Sequence, residues 1–155
     1  MTAGDTPGRQ QLTDTAADAY RARREALHAT VSDLDAELDE LEAQDAPDVE
    51  RFRTAMTQVL DNLHQHIQEA DAADGLLAEI IETAPWFAPR AEALRAEHDD
   101  LLDRTRELIE RASAGGEIET LLADARTLSA RISDHRHTGT SLLMDAYMLD
   151  VPAGD

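Results

Sequence analysis

Six histidines and no cysteine set the chemistry open to this chain. Without thiols there are no disulfides, no iron–sulfur clusters and no cysteine nucleophile, so any metal must be held by imidazole nitrogen and carboxylate oxygen. Imidazoles act together only where a fold brings them together, which makes their helical phase the first question. Advancing by about 100° per residue, His98 falls at the centre of an apolar stripe, between Leu94, Leu101 and Leu102, and should be buried. His135 lies within the last stripe, one turn beyond Ile132. His66 lies at the edge of its stripe, beside Val59, Leu63 and Ala70, and His28 flanks the first stripe next to Leu27. His64 and His137 point away and are read as exposed.

These stripes belong to four long segments. The first helix is expected from about Thr13 to Ala43 on Tyr20, Leu27, Val31, Leu34, Leu38 and Leu41, spaced to share one face. The charge run Asp33, Asp35, Glu37, Asp39 and Glu40 reads as its solvated side. Pro47 breaks the pattern, and a second helix follows to Ala73 on Phe52, Met56, Val59, Leu63, Ile67 and Ala70. Gly75 ends it, and Leu76 to Thr83 reads as a short helix across the bundle end, where Trp86 and Phe87 are expected to plug the core. A third long helix runs from Pro89 to Ala112 on Leu94, Leu101, Leu102, Leu108 and Ile109. Gly115-Gly116 stops it, and the last runs from Glu117 to Leu149 on Leu121, Ala125, Leu128, Ile132, Leu142, Leu143 and Ala146.

The pattern predicts an all-α fold, an antiparallel up-and-down four-helix bundle with a short crossing helix between helices 2 and 3. It forms one domain over residues 13–150, with a disordered tail over 1–12 and a C-terminal tail over 151–155. In such a bundle, residues equidistant from a turn share a level. The midpoints of His28 and His66, of His66 and His98, and of His98 and His135 fall at residue 47, at residue 82 and beside Gly116, each on an expected break. The four rings are thus expected at one height, to within about a turn, ~5 Å. The competing reading is a set of separate neutral histidines, each bonded to a hydroxyl such as Thr105 or Ser129.

Composition narrows the partners. The chain has 155 residues, 42% of them apolar and only 3% aromatic, which suits one helical core. Its 33 acidic residues against 14 basic ones, all arginine, give a net charge of −19, which disfavours nucleic acid and anionic membrane surfaces. Met1 to Gln11 lacks the basic and apolar features of a signal peptide, no apolar run reaches the ~20 residues of a membrane span, and a cytoplasmic location is expected. No catalytic motif survives inspection. In Ser133-Asp134-His135 the neighbouring side chains diverge, Glu25-Ala26-Leu27-His28 is half of a di-iron motif that needs a second copy, and Gly115-Gly116 lacks the strand and lysine of a phosphate loop.

The stretch His66-Ile67-Gln68-Glu69-Ala70-Asp71, with Asp74-Gly75-Leu76-Leu77-Ala78-Glu79-Ile80, Ala84-Pro85 and Leu94-Arg95-Ala96-Glu97-His98, resembles the middle of hemerythrin-like (HHE cation-binding) proteins. Asp134-His135, Asp145-Ala146-Tyr147 and the ending from Asp150 to Asp155 resemble the tail of a subgroup of that family. The resemblance implies a four-helix bundle around non-heme iron, in an oxygen-binding, redox-sensing or iron-handling role. It assigns His28, His66, His98 and His135 as histidine ligands, with Glu69 as the carboxylate ligand. The family pattern of HxxxE, HxxxH and HxxxxD is departed from at Ala70, at Leu102 and at Gly139 and Thr140. A di-iron centre needs bridging carboxylates at such places, so the expectation is one divalent ion, iron or another such as zinc or nickel, in a protein that is more a binder than an enzyme. The alternative is a metal-free helical interaction module that docks a protein partner, or a further copy of itself, on an acidic face or the Trp86/Phe87 end.

Overall fold

In the computed structural model, residues 7–72 and 75–150 are described, with their side chains over 18–72 and 75–146. All regular structure among them is helical: α1 (Pro7–Glu42), α2 (Val49–Ala70), α3 (Leu76–Thr83), a 3-10 turn (Pro85–Phe87), α4 (Ala88–Ser113) and α5 (Ile118–Asp150). No described helix is long and apolar enough to cross a membrane. α1 begins at Pro7 rather than Thr13, because proline has the helical φ built in and loses no hydrogen bond at a first position. Residues 7–12 therefore leave the expected tail, while the tails over 1–6 and 151–155, like Asp74, lie outside the described residues.

The helix ends follow from side chains at the breaks. Asp48 caps α2, its carboxylate accepting from the backbone N–H groups of Glu50 and Arg51 at 3.0 and 3.2 Å. α2 stops at Ala70, short of the expected Ala73, with the Asp71 amide closing on the Ile67 carbonyl. α4 ends where Gly115 takes φ 82°, which lets the Gly116 amide reach back to the Arg111 carbonyl at 2.8 Å.

The long helices pack in the cyclic order α1, α2, α4, α5 and back to α1. Cross-helix pairs mark each seam. Arg51 chelates Glu37 and Thr30 meets Asn62 between α1 and α2, and Asp71 meets His98 between the end of α2 and α4. Arg111 meets Asp124 and Arg90 meets Asp145 between α4 and α5, while Ser129 meets Asp35 and Tyr20 meets Thr140 between α5 and α1. Part of the acidic run on α1 is therefore engaged rather than simply solvated: Glu37 and Glu40 hold Arg51, and Asp39 and Glu42 hold Arg126.

The apolar core has two parts. The larger joins the expected seams from Leu27 to Leu41, Phe52 to Leu63, Leu101 to Ala112 and Leu121 to Ile132. The smaller, at one end, gathers Leu76, Leu77, Ile80, Ala84, Phe87, Ala91, Leu94, Leu142 and Ala146. The expectation for Trp86 fails here. Phe87 turns inward, but Trp86 is 64% exposed, because successive residues of a 3-10 turn diverge by about 120° and only one can face the core. Phe52, fully buried in the larger cluster, tests the packing. Phe52→Ala should cost about 3–5 kcal/mol of unfolding free energy in urea titrations followed by circular dichroism, and a loss under about 1 kcal/mol would contradict the burial.

Candidate metal centre

Between the two apolar clusters lies a polar layer. α2 brings His66 into it one turn beyond Leu63, α4 brings His98 between Leu94 and Leu101, and α5 brings His135 one turn beyond Ile132. Their ring centroids are 5.4, 5.5 and 4.9 Å apart, with each pair of rings edge to face. One ring nitrogen from each lies within 4.8 Å of the other two. His98 is 2% and His135 5% exposed.

Two of the rings are oriented by carboxylates. The Nδ1 of His98 lies 3.2 Å from Asp71, and that of His135 lies 2.7 Å from Glu97. An ionised carboxylate only accepts, so each Nδ1 carries a proton, and in a neutral ring the Nε2 keeps its lone pair. Asp71 is steadied in turn by Arg95, whose Nε is 3.4 Å away. His66 has neither nitrogen bonded, though both are buried. Burial first, then His135, His98 and Arg23, pushes His66 down to about 3, while burial and His135 lower His98 against the pull of Asp71. At neutral pH, His66 and His98 are therefore uncharged and available as donors.

α1 fills the fourth corner of the layer with Arg23, one turn before Leu27 and 7% exposed, not with His28. His28 is exposed, because one residue beyond Leu27 turns it about 100° out of the core stripe. Glu69 is also exposed and bonds to Gln65 at 3.4 Å, on the outer side of α2. The structure thus brings together His66, His98 and His135 and leaves His28 and Glu69 outside that group. His137 is exposed as expected, whereas His64 is half-buried beside Arg106. The hydroxyls of Thr105 and Ser129 are engaged with the Leu101 carbonyl and with Asp35, so neither serves a histidine.

Three contributors were not read from the sequence: Asp71, Glu97 and Arg23. Glu97 immediately precedes His98, so its phase on α4 turns it toward the neighbouring α5, and that offset was a usable signal. Asp71 carried none, since it lies just past the end of α2, where helical phase no longer applies. Arg23 continues the Leu27 stripe backward by one turn, a place where arginine is unexpected because it is rarely buried.

The residues fit a single divalent cation. Unpaired buried nitrogens on His66 and ring nitrogens of His66, His98 and His135 within 4.8 Å of one another form a three-imidazole donor set, which would have to draw together by about 1 Å to bring each nitrogen to about 2 Å from one ion. They do not fit two metals. Four residues beyond His66 and His98 stand Ala70 and Leu102, both buried and without a ligand atom, and four beyond His135 stands Gly139, where a Cβ would come within 3.0 Å of the Tyr20 hydroxyl. A cavity of about 40 Å³ abuts the three rings, lined by Leu77, Ile80 and Leu142 and also by Tyr20, Arg23 and Arg136.

The histidine layer makes the metal-free protein acid-sensitive. The folded pKa of His66 is near 3 against 6.5 unfolded, so between these values the unfolded chain binds the extra proton. Stability is complete above about pH 6.5 and is lost as pH falls toward 3. Melting temperatures of metal-free protein should therefore fall from neutrality to about pH 4, and His66→Leu should flatten that decline; an unaltered slope would contradict the assignment. No family model, no curated protein and no solved structure matches this chain, and the chemistry of its site is therefore read from its own residues.

Proposed function

We propose that this chain is a hemerythrin-like, antiparallel up-and-down bundle that binds one divalent transition metal through His66, His98 and His135, in an iron- or redox-handling role. The partner numbers run in opposite senses along every seam, as in Tyr20 with Thr140 and Asp35 with Ser129, which supports the up-and-down reading. The observation that carries metal binding is His66, whose two buried nitrogens lack partners while one of them lies within 4.8 Å of a nitrogen on each of two other rings. Leaving such a nitrogen unsatisfied costs about 1–3 kcal/mol, and a shared cation would remove that cost at the one nitrogen that faces it.

Imidazole suits iron, zinc, nickel and copper, and three neutral ligands leave the ion its full charge and open coordination positions, the condition for Lewis-acid or redox chemistry. The chain's own part is positional. Asp71 and Glu97 would hold the Nδ1 protons and fix the orientation of the two rings, and apolar clusters flank the layer on both sides.

Elemental analysis of protein purified without a histidine tag should find a single ion per chain. His98→Ala should abolish uptake, His137→Ala should leave it unchanged, and Asp71→Asn and Glu97→Gln should each weaken affinity by about 10–100-fold. Equal uptake by wild type and His98→Ala would refute the site. The second reading, a metal-free interaction module, is favoured by the exposed indole of Trp86 at one end of the bundle. It requires protein with no bound metal whose association with a partner is lost in Trp86→Ala.

A further inference from the structure

The cavity beside the histidines has a charge that the rest of the molecule does not. The chain carries −19 overall, yet this pocket is lined by Arg23, Arg24 and Arg136 and by no carboxylate. Arg23 is 7% exposed, and its buried Nε has no hydrogen-bond partner among the described residues. Its one close neighbour of note is the face of the Tyr20 ring, with the guanidinium carbon 5.9 Å from the ring centroid. The Nε of Arg136 is likewise buried without a partner. Glu69 attracts Arg23 only from a distance.

A buried guanidinium stays protonated and is costly without a counter-charge. A divalent ion on the three imidazoles sharpens the imbalance. Asp71, shared with Arg95, and Glu97 are the carboxylates bonded to the rings, and Arg23 adds a further positive charge beside them. A negative charge is favoured there, and the space of about 40 Å³, partly open to solvent, suits a small molecule. The walls on the side of Leu77, Ile80 and Leu142 favour a ligand with a short apolar tail.

We infer that Arg23, assisted by Arg136, forms an anion subsite next to the histidine cluster that takes a short-chain monocarboxylate, its carboxylate facing the guanidinium and its alkyl end facing Leu77, Ile80 and Leu142. This rests on the metal-binding reading above. Tyr20 completes the wall: its hydroxyl is tied to Thr140 at 3.0 Å, so the ring is fixed as a floor beneath Arg23 and does not compete for the ligand.

The test uses the 155-residue chain loaded with Co²⁺, whose visible spectrum reports its surroundings, titrated with propionate and, as the neutral isostere, propionamide. Propionate should shift the spectrum saturably and raise the melting temperature, and propionamide should do neither. Arg23→Gln should load Co²⁺ to the wild-type stoichiometry and bind propionate at least about tenfold more weakly, the loss expected on removing a hydrogen-bonded charge. Arg136→Gln, at a partly exposed position, gives a second variant that does not disturb the buried layer, and it should also weaken propionate. Failure of the wild type to load Co²⁺ would overturn the metal reading and this inference together. Normal loading with a spectrum that propionate does not move, or with a response unchanged in both variants, would overturn the anion subsite alone.

Discussion

Three imidazoles and a guanidinium occupy a cross-section of the bundle where the residues on either side offer almost only hydrocarbon. Polar groups in such a layer must find partners or forfeit stability, and the surrounding sequence answers to that need. α4 places Glu97 and His98 side by side, so one helix supplies both a ring to the layer and the carboxylate that orients the ring from α5. The abrupt end of α2 after Ala70 frees Asp71 to turn back onto His98, which a continuing helix would prevent. Gly139 leaves room for Tyr20, and Tyr20 supports Arg23.

Away from the layer, cohesion is ordinary. Leucine, isoleucine, valine and methionine fill the larger cluster, and the all-arginine cation set spans the seams by chelating acidic pairs, as Arg51 does with Glu37 and Glu40 and Arg126 with Asp39 and Glu42. Exposed pairs of this kind add little individually. In a chain so rich in carboxylates their main service is to relieve repulsion between α1 and its two neighbours.

The helices and most of their buried faces were legible in the sequence because periodicity of apolar residues is a strong signal over segments this long. The stripes from Leu27 to Leu41 and from Leu121 to Ile132 are buried as read, as are His98 and His135. Phase also placed His28 at the flank of its stripe, and a flank position resolves to exposure when a neighbour such as Leu27 already fills the core. What phase cannot give is chemistry beyond helix ends or across helices. Asp71 lies in a turn, and Glu69 was the nearer carboxylate by family spacing, yet Glu69 projects outward while Asp71 reaches the ring. Trp86 misled for a different reason: size made it a core candidate, but the tight turn gave the inward position to Phe87.

The division of the apolar core into two bodies has a kinetic corollary. The smaller body is assembled from α3, the Pro85–Phe87 turn, the start of α4 and the far part of α5, so it can loosen while the larger one stays packed. Such sub-global opening is the ordinary behaviour of separately packed units and lies well below the free energy of complete unfolding. The polar layer sits at the joint between them. An occupant of that layer would then be gripped on one side by a unit packed separately from the rest, and loosening of that unit would shorten its stay.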